Sequence, residues 1–280
     1  MVYEYLWDTG DITATVTDLP AGLYEVTVTD TNGCTFIPNT TINQPLAPLS
    51  DTLIIADNLC FGEDLGSIDA TISGGTIPYD YSWSNGETTQ DIDSLANGPY
   101  TLTVTDDNMC VWVIDTIITS PTEIDITHVQ TNVSCFGGND ATIDLTVGGA
   151  VPPYSYLWNT ADTIQDLDSL FVGTYDVIIT DSNNCEDPYT VTITEPLAPL
   201  ALSADSINVA CFGDSTGAID LTVTGGTIDY SFSWSNGEAT EDIVDIPTGI
   251  YQVIVTDDNL CVDSLSMFID QPAAPIALSA

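Results

Sequence analysis

One module of about 76 residues repeats along the whole chain, and this period constrains the fold more than any other feature. Four tryptophans are spaced 76, 75 and 76 residues apart: Trp7, Trp83, Trp158 and Trp234. The cysteines follow the same spacing in two series, which we call the early cysteines (Cys60, Cys135, Cys211) and the late cysteines (Cys34, Cys110, Cys185, Cys261). The chain is therefore a series of similar modules and not a set of unrelated domains.

The period divides the chain into three whole modules, 49–124, 125–200 and 201–275, which we call the first, second and third module. Residues 1–48 correspond to the C-terminal part of one more module, the partial module, and residues 276–280 to the start of a further repeat. The segment 274–280 repeats the sequence of 198–204 with a single difference. We therefore expect the 280 residues to be a window on a longer array.

Each module has the sequence pattern of β-strands, and no helical period extends for ten residues. Polar and apolar residues alternate in segments such as 24–29, and threonine, valine, isoleucine and tyrosine dominate. In the first module the pattern predicts strands near 52–58, 66–73, 79–84, 88–95, 100–106 and 111–118. Six or seven short strands per module predict an all-β fold, a tandem array of small immunoglobulin-like β-sandwich modules of about 76 residues.

Two local motifs give more detailed predictions. Asn85-Gly86, after Trp83, predicts a type I′ hairpin turn, because both residues tolerate positive φ. The third module repeats the pair at Asn236-Gly237, whereas Asn159-Thr160 in the second module must turn differently. A Gly-x-Tyr triplet before a strand resembles a tyrosine corner, a structural hydrogen bond of β-sandwiches. The triplets contain Tyr24, Tyr100, Tyr175 and Tyr251.

The charge of the chain excludes several classes of function. There is no lysine or arginine against 42 acidic residues, so the formal net charge is −42. Nucleic acids and anionic membrane surfaces would repel such a chain. No stretch of about 18 apolar residues is present, so we expect no direct membrane insertion. The whole modules carry 13, 11 and 12 acidic residues, which makes the charge a property of the repeat.

We predict that the chain is not an enzyme and has no cofactor. The missing cations exclude a phosphate-binding P-loop and a Schiff-base lysine. His128 is the only histidine, it has no counterpart in the other modules, and no nucleophile–base pair repeats with it.

The cysteine spacing fits two disulfide schemes, and free thiols are a third possibility. Pairing within modules gives Cys60–Cys110, Cys135–Cys185 and Cys211–Cys261, with Cys34 unpaired because its module is truncated. The rival scheme joins cysteines across linkers, from Cys34–Cys60 to Cys185–Cys211. Four strands are predicted between Cys60 and Cys110, and an even number returns the chain to the same end of a sandwich, so parity favours the first scheme. Disulfides indicate an oxidising, extracellular compartment.

Acidic loops beside the cysteines suggest a calcium site. If the within-module disulfides form, the acidic residues that follow an early cysteine meet those that precede a late cysteine, and together they suit a hard cation needing six to eight oxygens. The candidate ligands are Glu63, Asp64, Asp106, Asp107, Asp140, Asp181, Asp214, Asp257 and Asp258. Asp-Asn turns are also ordinary turn chemistry, and no EF-hand pattern is present.

One aromatic residue is a candidate for surface contact. Trp112 has no aromatic counterpart in the second and third modules, where Asp187 and Asp263 occupy its position. The four repeated tryptophans lie on a predicted inner strand, so we interpret them as core anchors. Trp112 is therefore the residue to test for contact with a polysaccharide.

The ordered motifs of each module closely resemble the SprB repeat. In the first module they are the run 74–86 (GGTIPYDYSWSNG), then 95–100, 104–110 and 120–121. The departures are Asp229, where the family favours proline, and the missing Asn-Gly pair after Trp158. The resemblance covers every module. It implies a very large cell-surface adhesin of gliding bacteria, exported by the type IX secretion system and carried along the surface by the gliding motor.

The resemblance also implies a role and partners. We expect a structural and adhesive segment of an extracellular cell-surface filament that takes part in adhesion and gliding motility. Its partners would be neighbouring repeats, the gliding and secretion machinery and extracellular polysaccharide. Two alternatives stay open: modules that themselves bind polysaccharide, and a calcium-stabilised extender stalk of another adhesin.

Glycosylation is a further implication of the resemblance. Bacteria that carry this family attach O-glycans to a triplet of Asp, then Ser or Thr, then an apolar residue. A glycan would add bulk and solubility to the surface. The triplet occurs at seven acceptor residues: Thr52, Ser94, Thr116, Thr163, Ser169, Ser206 and Ser264.

Overall fold

The structure is a computed structural model that describes residues 2–274. The predicted start of a further repeat, residues 276–280, lies outside the described residues. The chain divides into two compact units, Met1–Ser120 and Pro121–Ala280, which are described separately. The first unit contains the partial module and most of the first module, and the second unit contains the other two.

All the regular secondary structure within residues 2–274 consists of β-strands. The partial module contains β1 (Tyr3–Trp7), β2 (Gly22–Asp30), β3 (Thr35–Phe36) and β4 (Asn39–Ile42). The first module contains β5 (Ser50–Ala56), β6 (Gly66–Ser73), β7 (Tyr79–Trp83), β8 (Ile92–Leu95), β9 (Gly98–Asp106) and β10 (Val111–Ile118). The second contains β11 (Ile124–Thr131), β12 (Ala141–Gly149), β13 (Ser155–Trp158), β14 (Leu167–Leu170), β15 (Gly173–Thr180) and β16 (Glu186–Ile193). The third contains β17 (Ala201–Ile207), β18 (Gly217–Thr224), β19 (Ser231–Trp234), β20 (Ile243–Ile246), β21 (Gly249–Thr256) and β22 (Val262–Ile269).

Each whole module consists of two three-stranded antiparallel sheets. The pairs of sheets are β5-β6-β8 with β10-β9-β7, β11-β12-β14 with β13-β15-β16, and β17-β18-β20 with β19-β21-β22. These are small immunoglobulin-like β-sandwiches in tandem, so the predicted fold class is confirmed. The strands at 66–73 and 111–118 have their predicted bounds, but the predicted strand 88–95 forms only at Ile92–Leu95.

Each whole module has its own hydrophobic core between its two sheets. In the first module, Ile68 from β6 and Leu95 from β8 pack with Trp83, Leu102 and Val104 from the other sheet. The second and third modules have equivalent clusters. Burial alternates along the central strands, as expected when one face of each sheet covers a core. The modules are therefore separate packing units.

The repeated tryptophans anchor these cores. Trp83, Trp158 and Trp234 are buried, and the indole nitrogen of each donates to the carbonyl six residues later at 2.9 Å. The tyrosine corners are also present. In every module, partial and whole, the tyrosine hydroxyl donates to the carbonyl four residues earlier, at 2.8–3.1 Å. The tyrosine corners are confirmed in all four modules and the tryptophan anchors in the three whole modules, whereas Trp7 in the partial module is half-buried. Both kinds of side chain satisfy their polar atoms locally.

The turn after each tryptophan differs from its prediction. A type I′ turn needs positive φ at both central residues, but Asn85 does not adopt it, and only Gly86 has positive φ, at 95°. The Gly86 amide donates to the Trp83 carbonyl at 3.0 Å. The second module was expected to turn differently, yet Ala161 makes the same bond to Trp158 with a φ of 71°. One turn serves all modules, because its left-handed residue is in each case the third residue after the tryptophan.

Strands β7 and β8 share a single passage along the sandwich. Strand β7 pairs with one half of β9, from Tyr79 opposite Asp106 to Trp83 opposite Leu102. The chain then changes sheets, and β8 pairs with β6 up to Leu95 opposite Gly66. Two short strands thus cover the length that one full strand would cover. The same division occurs at β13 and β14 and at β19 and β20.

This division determines which loops share an end of the module. Between Cys60 and Cys110 the chain makes three passages, so the two cysteines lie at opposite ends. Asn58, just before Cys60, bonds to the carbonyl groups of Leu95 and Thr119 at 3.0 Å. The ends are separated by the length of β9, about 27 Å. We call them the early-cysteine end and the late-cysteine end.

Candidate functional site: the joint between modules

A disulfide joins the second and third modules within the second unit. Cys135 is bonded to Cys261, with Cα atoms 5.7 Å apart and 126 residues between them in sequence. Cys34, Cys110 and Cys211 are free and exposed. The within-module pairs Cys60–Cys110, Cys135–Cys185 and Cys211–Cys261 are therefore wrong, and so are the linker pairs Cys34–Cys60, Cys110–Cys135 and Cys185–Cys211. Within the second unit, the early cysteine Cys135 bonds instead with the late cysteine of the module that follows it.

The number of passages that the chain makes between two cysteines explains why the cysteines of one module do not pair. A disulfide needs Cα atoms within about 7 Å of each other, and the two cysteines of one module lie about 27 Å apart. The sequence pattern predicts 88–95 as a full strand, which would give four passages, but the strand forms only at Ile92–Leu95 and the chain makes three. Three passages place the two cysteines of one module at opposite ends, and in the second unit Cys135 is left to meet the late-cysteine end of the third module.

A buried aspartate organises every complete late-cysteine loop. In the third module, Asp257 accepts the amide of Cys261 at 2.8 Å and, across the sandwich, the amide of Thr227 at 2.8 Å. Asp106 and Asp181 make the equivalent bonds. The three carboxylates are only 3–4% exposed. Each cross-links the cysteine loop to the turn that connects the two sheets, so this end of the module is fixed before any partner binds.

Hydrogen bonding also changes the acidity of these loops. The amide of Cys110 lowers the pKa of Asp106 below its ordinary 3.8, with further help from the amides of Thr76 and Asn108. In the partial module the amide of Cys34 lowers the pKa of Asp30 in the same way. The charge of Asp106 in turn raises the pKa of the Cys110 thiol. The loop stabilises an aspartate anion and disfavours a thiolate next to it.

The second half of the joint is the loop that contains Cys135. The Ser134 carbonyl accepts a bond from the Asn259 side-chain amide of the third module at 2.9 Å, and the Cys261 sulfur lies 3.4 Å from the same oxygen. The Asn259 amide is oriented by the Thr227 hydroxyl at 3.0 Å. Asp140 accepts both the amide and the hydroxyl of Ser134. The covalent bond is thus accompanied by a directed polar contact.

The proposed calcium ligands do not come together as expected. Asp106, Asp181 and Asp257 are buried and hold backbone amides. Within one module, Glu63 and Asp64 lie at the opposite end from Asp106 and Asp107, because of the three passages. Asp140 holds its own loop, and Asp214 donates its amide to the Cys211 carbonyl at 3.1 Å. In the part of the chain that the structure describes, no group of three or more His, Cys, Asp or Glu is placed to hold a metal ion.

Trp112 lines an open groove in the first unit. The groove has a volume of about 480 Å³ and is bounded by the linker 44–49, Gly75, Asp106 and residues 110–112. Trp112 is 40% exposed, and its indole nitrogen donates to Asp51 at 2.9 Å. The ring is therefore fixed in orientation while its surface is open to a ligand.

The glycosylation triplets lie on the surface. Six of the seven acceptor hydroxyls belong to exposed residues, and Thr116 is half-buried. Ser94 and Ser169 have a positive φ of 57° in the short strands β8 and β14. Each of their hydroxyls donates to the preceding aspartate at 2.9 Å. The triplets remain predictions as modification sites, and their exposure is compatible with attachment of a glycan.

The asparagine two residues before each late cysteine was missed as a contact residue. Asn259 bonds across the joint, and Asn108 in the first module has its amide held by Thr76 at 2.8 Å in the same way. The sequence carried a signal, because Asn32, Asn108, Asn183 and Asn259 occupy the same position in the period. That signal was interpreted only as turn chemistry.

The comparisons with known proteins concern sequence and fold. Among solved structures, the chain is similar to Sidekick-1 immunoglobulin domains 1–5, with 10% identity over 96% of this chain and 73% of that chain and a TM-score of 0.35. It is also similar to the N-terminal four Ig domains of Dscam1 isoform 7.44, with 12% identity, 96% and 91% coverage and a TM-score of 0.26. At TM-scores this low, we infer nothing about this chain from the two similarities. No curated protein sequence matches the chain significantly.

No helix within residues 2–274 is long and apolar enough to cross a membrane.

The match to a sequence family is more specific. The SprB repeat matches residues 52–88, 127–163 and 203–239. Each matched segment runs from the first strand of a whole module to the turn after its tryptophan. The chain thus contains three SprB repeats in series, one in each whole module.

Proposed function

We propose that this chain is a structural and adhesive segment of a large extracellular filament that serves surface adhesion and gliding motility. The observation that carries the proposal is the series of three SprB repeats, each with its own core. Disulfides fit an extracellular location. Repeat modules of this kind are typically structural, and we propose no catalytic activity.

The physical properties of the modules suit this role. The free energy of unfolding of a chain with separate cores is roughly the sum of module and interface contributions. One module can therefore unfold while the others stay folded. A charge of −42 spread over all modules repels neighbouring filaments and keeps them soluble. The partners in this proposal are neighbouring repeats, the secretion and gliding machinery, and extracellular polysaccharide.

Antibody labelling of living cells tests the proposal. Antibodies raised against the folded chain are applied to unpermeabilised cells of the source bacterium on glass. We expect surface label that moves along the gliding cells and stops when the proton gradient is collapsed. Label that requires permeabilisation would contradict an extracellular location. Surface label that never moves would contradict the gliding role and leave adhesion to be measured by cell detachment under flow.

Polysaccharide binding is a second candidate, and the groove beside Trp112 favours it. An indole ring that is fixed by Asp51 and open on one face can stack on the apolar face of a sugar. We expect binding of soluble extracellular polysaccharide to the wild-type chain and loss of most of it in Trp112→Ala. Trp83→Phe, a core change, is the matched control. Equal binding by the wild type and Trp112→Ala would exclude the groove.

A further inference from the structure

Two covalent connections join the second and third modules. One is the chain itself, through the linker 195–199, which contains Pro196 and Pro199 and is therefore a semi-rigid spacer. The other is the disulfide between Cys135 and Cys261. A single connection between two bodies is an axis about which they can turn, whereas a second connection at another point blocks that rotation.

On the side of the second module, the linker and the cysteine loop are bonded to each other. The amide of Thr194 donates to the Asn132 side chain at 3.0 Å, and the Thr194 carbonyl accepts the amide of Val133 at 3.0 Å. Glu195, at the start of the linker, accepts the amide of Gly137 at 2.5 Å, two residues beyond the early cysteine. The start of the linker is therefore fixed to the loop that carries the disulfide.

The end of the linker is fixed to a turn of the third module. The amide of Gly226 donates to the Ala198 carbonyl at 3.0 Å. Gly225 has a positive φ of 68°, and a Cβ atom there would lie 1.9 Å from the carbonyl oxygen of Pro199. Only glycine fits at this position, because both the backbone conformation and the close approach exclude a side chain.

The same turn supports the cysteine loop of the third module. The buried carboxylate of Asp257 accepts the amides of Thr227 and Cys261, each at 2.8 Å. The side-chain amide of Asn259 donates to the Thr227 hydroxyl at 3.0 Å and, across the joint, to the Ser134 carbonyl at 2.9 Å. The linker, these bonds and the disulfide form a closed circuit, which we call the joint ring.

We propose that the joint ring is a redox switch of module orientation. With the disulfide formed, the ring holds the second and third modules in one orientation. With the disulfide reduced, the linker is the remaining covalent connection, and the third module rotates about it. Leu197, between the two fixed ends of the linker, is fully exposed, so packing of its side chain does not restrain the rotation. The bond from Asn259 to Ser134 is a neutral hydrogen bond that water can replace.

Opening the ring is a two-electron reduction. A small dithiol supplies two electrons and two protons, the sulfur–sulfur bond breaks, both cysteines end as thiols, and the dithiol closes to a cyclic disulfide. Cys135 and Cys261 are both half-buried, so a small reductant reaches them. One consequence, unlike the switch itself, rests on the extracellular location in the proposed function. Because thiols stay reduced in the cytosol, the joint is flexible before export and fixed after oxidation outside the cell.

Single-molecule energy transfer between two dyes tests the switch. The dyes are attached through bio-orthogonal side chains, so that the cysteines stay unlabelled. One pair replaces Thr174 and Ile250, and a second pair, in a separate sample, replaces Thr146 and Thr222. Each pair occupies equivalent exposed positions in the two modules, and the two pairs lie on opposite sheets of the sandwich. We expect one narrow distance distribution for each pair in the oxidised chain.

Removal of the disulfide is expected to broaden both distributions. In Cys135→Ser with Cys261→Ser we expect each to become about twice as wide, because the linker alone then sets the orientation. A dithiol should broaden the wild type to the same width. Cys34→Ser with Cys110→Ser, which removes two free thiols, is the matched control and keeps the narrow distributions. Unchanged hydrogen exchange in both cores shows that the modules stay folded.

Loosening the linker tests the other half of the joint ring. Pro196→Gly with Pro199→Gly makes the linker flexible and leaves the disulfide in place. If both connections are needed, this variant also broadens both distance distributions. Narrow distributions in the linker variant or in the variant without the disulfide would show that one connection suffices and would overturn the proposal. Broad distributions in the oxidised wild type would overturn it as well.

Discussion

The two ends of a module are built on different principles. At the late-cysteine end, the same buried aspartate holds the loop in all three whole modules: Asp106, Asp181 and Asp257. At the early-cysteine end, each module uses a different acceptor near its cysteine. Glu63 accepts the amide of Cys60, whereas Asp140 and Thr216 accept the amide of the residue before the cysteine.

This difference shows how a joint can be both specific and tolerant of sequence change. A carboxylate that is buried and bonded across the sandwich cannot be replaced without leaving amides unpaired. The early-cysteine loop is exposed, and several side chains can satisfy its amides. The late-cysteine surface of the joint is therefore fixed by the core of its module. The early-cysteine surface supplies a backbone carbonyl and a cysteine sulfur, whose positions depend little on the neighbouring side chains.

Breaking the bond where the two ends meet has the largest expected effect. The disulfide encloses 126 residues, and a fully extended chain of that length spans about 430 Å. When force is applied between residues 125 and 270 through bio-orthogonal handles, we expect Cys135→Ser with Cys261→Ser to lengthen by about 430 Å more than the wild type.

The matched control for this pulling experiment is Cys34→Ser with Cys110→Ser. These cysteines are free, so their loss leaves the extension unchanged. If the wild type and the Cys135 and Cys261 variant reached the same length, the disulfide would not carry load across the joint.

Removing the aspartate of the late-cysteine end has the next largest effect. Asp257→Asn replaces one acceptor oxygen with an NH2 group that faces an amide of Cys261 or Thr227. We expect the third module to lose about 3 kcal/mol, from a charge-assisted bond and an unpaired buried donor. Hydrogen exchange followed on peptides of the third module measures the loss. Asp258→Asn, an exposed neighbour, is the control, and equal losses in both variants would contradict the assignment.

Acid should reveal the same aspartate through its pKa. The pKa of Asp106 is lower in the folded chain than its ordinary 3.8, so the carboxylate contributes stability above that value. The contribution disappears as the pH falls through the folded pKa. We expect the melting temperature of Asp106→Asn to lie below that of the wild type at pH 6 and to approach it below about pH 3.8. A difference that does not change with pH would refute this role.

At the early-cysteine end, the corresponding change is smaller. The hydroxyl of Ser134 lowers the pKa of Asp140, but Asp140 is exposed and its loop can rearrange toward solvent.

Side-chain contacts across the joint can be measured at the late-cysteine end. Asn259→Ala removes bonds to Ser134 and Thr227, whereas Asn108→Ala removes only the bond to Thr76.

We expect Asn259→Ala to cost about 1 kcal/mol more than Asn108→Ala, which is the value of one additional neutral hydrogen bond. The exchange rate of the amides around each loop measures both costs. Equal costs would show that the Ser134 carbonyl is satisfied as well by water, and that the polar contact does not stabilise the joint.

The sequence was informative wherever a feature depends on a local period. The repeat, the alternation in strands and the tryptophan and tyrosine anchors depend on neighbours within a few residues, so the pattern alone located them. The turn at Ala161 was missed because a non-glycine residue occupies a left-handed position that sequence rules reserve for glycine or asparagine.

The disulfide partner was missed for a different reason. It depends on counting passages of the chain, and a single short strand, Ile92–Leu95, changes that count from even to odd. No local signal separates one full strand from two half-strands in different sheets. The calcium prediction depended on the same parity, since it required acidic loops of one module to share an end.

The smallest effect concerns calcium. Because Asp106 and its equivalents are occupied by backbone amides, and because Glu63 lies at the other end of the same module, we expect a chelator to leave the melting temperature unchanged to within about 1 °C. The measurement compares EDTA with added CaCl2 at constant ionic strength, because a chain with 42 acidic residues responds to any salt through screening. A drop with EDTA that calcium restores, and sodium at equal ionic strength does not, would place a specific cation at the acidic loops after all. If the drop were lost in Asp140→Asn, the cation would lie at the early-cysteine end of the module. If it were lost in Asp258→Asn, the cation would lie at the late-cysteine end.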